Sequence, residues 1–384
     1  MSNPRPVKIV KIAWGVLHGT RPRHAGRNAR LDDHGTHVRL PLAQITTDDG
    51  ATGFGRSSAG PTEAAALLGA SLDTLFDPTQ GAIGPGLAFD FPLWDLAAKR
   101  AGLPVYALAA QMSGSATIDT PAPRVPTYDT SLYFDDLHLA DDAAAAAHIA
   151  GEAREGWARG HRAFKIKVGR GARHMPLAAG TRRDIAVIKA VREAVGPQAP
   201  LMIDANNGYN LNLTKEVLLA TADAHLFWLE EAFHEDRVLY ADLRAWCNAQ
   251  GLAVLFADGE GQASPTLLDW AREGLVQVVQ YDIFSYGFTP WLALGRQLDA
   301  WGVQSAPHHY GAHFGNYAAC HLAPSIRGFT FAEWDEVVTP GLDASGYTIE
   351  EGRVSVPQQP GFGLGLDPAR FTHAVTTEGY YQTL

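Results

Sequence analysis

The 384-residue chain is 46% hydrophobic and 19% charged, the balance of a soluble globular protein, and it is long enough that two domains are expected rather than one core. Its formal net charge of −10 leaves no basic excess to neutralise phosphates, so nucleic acid is not an expected partner. Cys247 and Cys320 show no pairing or metal-binding spacing, the first residues lack a leader's apolar core, and no apolar run approaches the roughly 18 residues of a spanning helix, so a reducing, cytoplasmic setting without membrane contact is expected.

Near the start, Val7 to Ile12 alternates apolar and charged residues, the pattern of a half-exposed strand. Val38 to Thr46 and Thr52 to Gly55, joined by Asp48-Asp49-Gly50 as a turn, complete a small antiparallel sheet. Helical spacing follows over Glu63 to Phe76 and over Phe89 to Met112, the second broken at Gly102-Leu103-Pro104. Residues 1–120 therefore read as an α+β domain, and the proline-rich stretch Thr117 to Pro126 as its junction with the next. Between Val16 and Thr36 lies a loop rich in Arg21, Arg23, His24, Arg27, Asn28, Arg30 and His34, read as a lid whose donors suit an anionic, hydroxylated substrate.

From Phe164 onward, apolar runs recur and nearly all stop at an ionisable residue: Lys165-Ile166-Lys167, Asp204, Glu230, Asp258 and Glu260, Asp282, His308-His309 and Glu333. From Asp204 the polar ends recur at intervals of about 25 to 30 residues, one strand plus one helix plus two loops. Between them, Ile185, Ile188, Val191 and Val195 show helical spacing. Residues 121–340 thus predict a (β/α)8-type barrel, an α/β fold whose strand ends share one face. Residues 341–384, polar and rich in Gly and Pro, form a tail expected to return to the first domain.

Asp204, Glu230 and Glu260 end three successive predicted strands, and three neighbouring carboxylates call for a hard cation, Mg²⁺ first. Asp258 competes for the third place, but Gly259 and Gly261 beside Glu260 allow close backbone approach. Glu231 should point away from Glu230 if the strand runs through both. Lys165 and Lys167 share one strand parity and face inward, where mutual repulsion and a cation would lower a lysine pKa toward neutrality. His308 and Asp282 end neighbouring strands and make a natural imidazole–carboxylate pair, with His309 and His313 as rivals.

Lys165-Ile166-Lys167, Asp204 with Asn206, Leu229-Glu230-Glu231, Asp258-Gly259-Glu260, Asp282, Pro307-His308 and Ala332-Glu333-Trp334-Asp335 together resemble the enolase superfamily in its mandelate racemase subgroup. Phe91 to Ala97, Gly102 to Tyr106 and Pro360 to Gly365 extend the likeness to nearly the whole chain. The resemblance implies a capping domain with a substrate lid, completed by the tail, over a modified barrel. It also implies one Mg²⁺ on Asp204, Glu230 and Glu260, and catalysis by Lys167, His308, Asp282 and Glu333. Substrate contacts are then expected from Lys165 and Asn206, with Arg21 of the lid and His309 as further candidates. Ser285-Tyr286-Gly287-Phe288 departs from the subgroup by carrying one Gly where two are usual, which keeps His309 in play as Asp282's partner; Pro307 favours His308.

A carboxylate's α-proton is too weakly acidic for lysine or histidine unless the growing dianion is stabilised, and Mg²⁺ with Lys165 and Glu333 as donors would do so. The polar lid favours a small-molecule sugar acid, an aldonate or aldarate, dehydrated to a 2-keto-3-deoxy acid. Racemisation or epimerisation of a 2-hydroxy acid is the runner-up, with cycloisomerisation behind it. A metal-dependent barrel hydrolase would need several histidine ligands, and a plain sugar-binding protein would need neither Lys167 nor His308. A homo-oligomer is the family expectation.

Overall fold

The computed structural model describes residues 5–112, 122–261, 263–311 and 313–384. The first half of the predicted junction, Thr117 to Pro121, lies outside them. The chain opens on a four-stranded antiparallel sheet. Its first strand, β1 (Ile9–Ala25), pairs along β2 (Gly35–Thr47), which pairs with β3 (Thr52–Arg56). Ile9, Ile12, Leu40, Leu42 and Ile45 are buried beneath it. Helices α1 (Pro61–Leu67), α2 (Asp90–Ala101) and α3 (Val105–Met112) follow. The predicted helix over Glu63 to Phe76 stops early, at Leu67. Helix α2 lies hard on β3: a Cβ on Gly53 would come within 2.4 Å of the Leu96 nitrogen, so only glycine allows that approach.

Next comes a run of parallel strands: β4 (Arg124–Leu132), β5 (Phe164–Lys167), β6 (Leu201–Asp204), β7 (Trp228–Glu230), β8 (Leu255–Asp258), β9 (Val278–Val279), β10 (Gln304–Ser305) and β11 (Ala332–Trp334). Each pairs in parallel with the next from β4 to β10, and β11 pairs with the free side of β4. The gap between β10 and β11 is bridged where Ser305 N donates to Gly328 O at 2.9 Å and Thr330 N to Ser305 O at 2.9 Å. Parallel pairing therefore runs in a circuit. Strand β4 is the one that the apolar-run pattern missed, because the proline-rich stretch Thr117 to Pro126 runs into its start and reads as a linker.

Helices cross between consecutive strands: α4 (Asp142–Ala158), α5 (Leu177–Val195), α6 (Leu211–Ala220), α7 (Arg237–Gln250), α8 (Leu267–Arg272), α9 (Phe288–Trp301) and α10 (Phe314–Leu322). Asp141, Asn210 and Asp236 cap α4, α6 and α7 by accepting backbone N–H groups. Strand parity sets two cores. Phe164, Ile166 and Ile203 face the helices, whereas Tyr128, Met202, Trp228, Ala257 and Val278 fill the inside of the circuit.

The tail returns twice. A hairpin, β12 (Thr348–Glu350) and β13 (Arg353–Ser355), adds antiparallel to β4, and β14 (Tyr380–Thr383) adds antiparallel to β1 after helix α11 (Pro368–Glu378). Asp95 ties three segments together, accepting from Phe54 N at 2.9 Å and Phe362 N at 3.0 Å with Lys99 Nζ at 2.6 Å. None of the described helices is long and apolar enough to cross a membrane.

Candidate active site

Register brings the polar strand ends level. Lys167 on β5 is the Cα partner of Asp204 on β6, and Asp204 is that of Glu230 on β7. The backbone then leaves the ladder: Asn206, Asn207 and Glu231 take positive φ, and Gly259 has φ +126°, which lets Glu260 turn back toward the group. One ligand oxygen from each of Asp204, Glu230 and Glu260 lies within 4.8 Å of the others.

This donor set suits a hard divalent ion. It is all carboxylate oxygen, Asp204 and Glu230 are buried and Glu260 is partly so, and Glu260 Oε2 has no hydrogen-bond donor although His308 Nε2 sits 2.8 Å away, near enough for an ion pair but not aligned as a hydrogen bond. Asp258 is excluded from the set by its own partners, the Tyr240 hydroxyl and the Gly259 N–H. Glu231 does not point away as expected, because β7 ends at Glu230. Its carboxylate instead accepts from Asn206 Nδ2 at 3.1 Å and Asn207 Nδ2 at 3.2 Å beside Glu260, and burial together with Glu260 pushes its pKa up to about 10.

Both lysines reach into this ring. Lys165 Nζ donates to Glu230 Oε1 at 2.7 Å and lies 3.2 Å from Glu333 Oε1 and 3.5 Å from Asp204 Oδ2. Lys167 Nζ donates to Asp204 Oδ2. The expected lowering of their pKa is reversed in this arrangement. Burial does lower both, but the carboxylates outweigh it and outweigh the repulsion between the two amines, so both are raised. A cation drawing on the same carboxylates would remove that support.

Across the ring, His308 turns Nδ1 to Asp282 Oδ2 at 3.1 Å and Nε2 to Glu260. Burial lowers its pKa, but Glu260, Glu333 and the Asp282 bond win, and it stands well above an ordinary histidine. Glu333 accepts from Thr130 Oγ1 at 2.6 Å and from His309 N at 2.7 Å. Burial raises Glu333, yet Lys165 and His308 bring it down to about 2. In this arrangement Glu333 accepts from Thr130 and His309 N and faces Lys165, so the donor role expected from the sequence requires it to gain a proton. Asn206 donates Nδ2 to Glu260 at 3.0 Å while its Oδ1 is left without a partner.

Two substrate-binding candidates have other partners. Arg21 forms a fork on Asp335, with Nε and one terminal nitrogen each 2.9 Å from a carboxylate oxygen, and stands 4.6 Å over the Tyr310 ring. His309 is fully buried, its Nε2 2.8 Å from Glu333 O, so it holds Glu333 in place. His313 is buried, and burial together with His309 pushes its pKa down to about 3. The predicted lid loop is mostly strand: β1 continues to Ala25, and only residues 26–34 form the turn. Of the lid's polar residues, Arg23 goes to Ser131 and Glu152, whereas Arg30 comes within 4.0 Å of Glu231 and His34 packs 4.8 Å from Tyr133.

Three features escaped the sequence reading. Tyr133 and Tyr310 stack at 5.0 Å with His34 against both, and Tyr133 lies 5.4 Å from Lys167 Nζ, so three aromatic rings cover the lysine side of the site. Gln280 Nε2 donates to Glu230 Oε2 at 2.9 Å. A buried Arg170 binds Asp136 and Asp184 and donates to Lys167 O at 3.3 Å, fixing the turn that follows β5. Apart from the Arg170–Lys167 contact, these partners lie far apart in sequence, so no local signal announces them.

Residues 148–370 match the family model described as Enolase C-terminal domain-like. Among solved structures, galacturonate dehydratase from Geobacillus sp., complexed with D-galacturonate and 5-keto-4-deoxy-D-galacturonate, is 48% identical, with 98% of this chain and 99% of that one covered at a TM-score of 0.93. A mandelate racemase/muconate lactonizing protein from Geobacillus sp. Y412MC10, complexed with magnesium/tartrate, is also 48% identical, covering 98% and 97% at a TM-score of 0.95. The D-galactarolactone cycloisomerase of Agrobacterium fabrum is 26% identical over 372 residues, 87% of this chain and 90% of its own.

Proposed function

The chain belongs to the enolase superfamily, in its mandelate racemase subgroup, and on that premise we propose that it dehydrates a sugar acid to the 2-keto-3-deoxy acid, with Mg²⁺ on Asp204, Glu230 and Glu260. The observation that carries the reading is the convergence of Lys167 and His308 on one carboxylate ring, Lys167 at Asp204 and His308 at Glu260. We read the parallel circuit as the expected (β/α)8-type barrel, with residues 1–120 as its cap and 341–384 as the returning tail. A reducing cytosol, matching two buried free thiols, and a homo-oligomeric state are part of the same proposal.

Mg²⁺ held by Asp204, Glu230 and Glu260 would supply the positive charge that a carboxylate substrate needs to become more acidic at its α-carbon. The remaining work falls to side chains. Lys165 donates to the substrate carboxylate, and Lys167 Nζ exchanges the α-proton once the ring charges no longer hold it as ammonium. Glu333 must take up a proton to donate as the substrate enters; otherwise it repels the incoming carboxylate. Asp282 accepts from Nδ1 of His308, so Nε2 is the reactive nitrogen, and the imidazolium can hand its proton to a β-hydroxyl leaving as water. The rings of His34, Tyr133 and Tyr310 keep bulk water from the lysine side.

Epimerisation is the second reading, because Lys167 and His308 can each serve one proton at the same carbon. The hydrolase alternative loses ground, since the carboxylate cluster contains no histidine. The test is a panel of uronates, aldonates and aldarates with Mg²⁺ in D₂O, scored for keto-acid formation and deuterium wash-in. Deuterated substrate without keto acid would favour the epimerase; neither signal across the panel would sink both readings.

A further inference from the structure

The catalytic groups are not equally shielded. The side chains of Lys165 and Asp204 are 0% exposed and Lys167 is 4%, whereas His308 keeps 16%, Glu260 14% and Asp282 19%. Solvent therefore reaches the ring from the histidine side. On that side a cavity of about 680 Å³ opens between the N-terminal sheet and the loops after β9 and β10, with Asp282, Phe284 and Tyr310 on one wall and Arg39, Arg56 and Ser58 on the other.

Arg56 is the unusual member. It ends β3, its guanidinium lies 4.5 Å over the Phe284 ring, and its Nε is buried without a hydrogen-bond partner. Other buried arginines meet carboxylates: Arg21 has Asp335, Arg170 has Asp136 and Asp184, and Arg183 has Asp142. Asp282 does not play that part for Arg56, because its oxygens accept from Phe284 N, Ser285 N, Ser285 Oγ and His308 Nδ1. The Phe284 ring and the charge of Asp282 only partly offset the solvation that Arg56 loses, and its Nε has no hydrogen-bond acceptor, which is the condition of a group kept for a ligand.

We propose that this cavity receives the end of the substrate remote from the reacting carbon, and that Arg56 binds a second carboxylate there, making di-acid sugars better substrates than the matching uronates. The inference rests on the sugar-acid reading above. The guanidinium's planar fork accepts both oxygens of a carboxylate, whereas a carbonyl or hydroxymethyl end offers one oxygen without charge. Arg56 is a specificity residue in this scheme, and the proton-transfer groups are untouched by its loss.

The test compares galactarate with D-galacturonate on the wild type, Arg56→Met and Arg56→Lys, by steady-state kinetics with Mg²⁺ and by calorimetric binding of each compound. Arg56→Met should lower kcat/KM for galactarate about 30-fold, through KM, and that for galacturonate less than about threefold. Arg56→Lys, which keeps charge but not the fork, should fall between. Unchanged melting temperatures would show that the fold is intact. An equal loss on both compounds, or none on galactarate, would overturn the assignment. If the wild type turns over neither, the calorimetry still decides the cavity assignment, and the dehydratase reading is left to the full panel: galactarate binding that weakens in Arg56→Met while galacturonate binding holds supports the assignment. Binding of neither compound would overturn the cavity assignment.

Discussion

Nδ1 of His308 lies 3.1 Å from Oδ2 of Asp282, and the other carboxylate oxygen is pinned by the N–H groups of Phe284 and Ser285. The carboxylate is thus fixed before it fixes the ring, and the free nitrogen, Nε2, is the one aimed at Glu260. His308→Asn should lower turnover by at least about 10³-fold, near the upper range for losing a positioned acid or base. Asp282→Asn should cost less, because the ring stays but loses a charge that raises its pKa. The limb of the pH–rate profile belonging to the imidazolium should then move to lower pH. An unmoved limb would remove Asp282 from that role.

Lys167 makes a complementary case. Its amine is held as ammonium by Asp204, so its service as a base depends on other positive charge reaching that carboxylate. Chelation of divalent ions should abolish turnover. Added Mg²⁺ should raise the melting temperature of the wild type, since it binds the folded ring, by the equivalent of about 3 kcal/mol at a hundredfold excess over Kd. Glu260→Gln should lose most of that gain, whereas Lys167→Ala should keep the Mg²⁺-induced stabilisation but no turnover. Full activity in chelator would remove the metal from the reaction.

The ring of polar strand ends was legible because strand parity and repeat length are local properties: Lys165 and Lys167 two apart, and Asp204, Glu230 and Glu260 at the recurring interval. What escaped was set by partners far along the chain. Arg21 reads as a loop donor until Asp335, 314 residues away, is seen to occupy it. Gly15, Gly19 and Pro22 break the alternation of β1 in the sequence, yet pairing with β2 runs to Thr20 and resumes at Ala25 after an irregularity. Glu231 was placed by parity, and parity fails once the backbone turns to positive φ just beyond the ladder. His309, beside His308 and of the same chemistry, could be told apart only by burial.

Arg170 tests how the turn after β5 is held. It is fully buried between Asp136 and Asp184, and Asp184 also accepts from Gly169 N at 2.8 Å and Tyr209 OH at 2.9 Å. Removing the cation leaves buried Asp184 without an ion-pair partner and buried Asp136 with only the Arg183 guanidinium, 3.7 Å away. Arg170→Met should therefore destabilise the protein by about 3–5 kcal/mol in urea unfolding. Adding Asp136→Asn to it should recover part of that loss. A single-variant loss below about 1 kcal/mol would mean that water replaces the guanidinium freely.

His321 is the group through which acid should act on the joint between the N-terminal unit and the parallel strands. Tyr106 N, at the start of α3, donates to its Nδ1 at 2.9 Å, so Nδ1 must be the bare nitrogen. Nε2 then carries the hydrogen and donates to Tyr347 OH at 2.8 Å, which in turn donates to Phe362 O at 2.6 Å. A second proton on Nδ1 would face the Tyr106 N–H, and burial already pushes the pKa down to about 3. Because the folded value lies below the unfolded value near 6.5, the unfolded chain binds the proton more readily. The contribution is whole above about pH 6.5 and falls away as the pH drops toward 3. Unfolding free energy should decline across that window by a few kcal/mol, and His321→Gln should flatten the decline by removing the titrating ring. An identical acid dependence in wild type and variant would show that carboxylates elsewhere carry it.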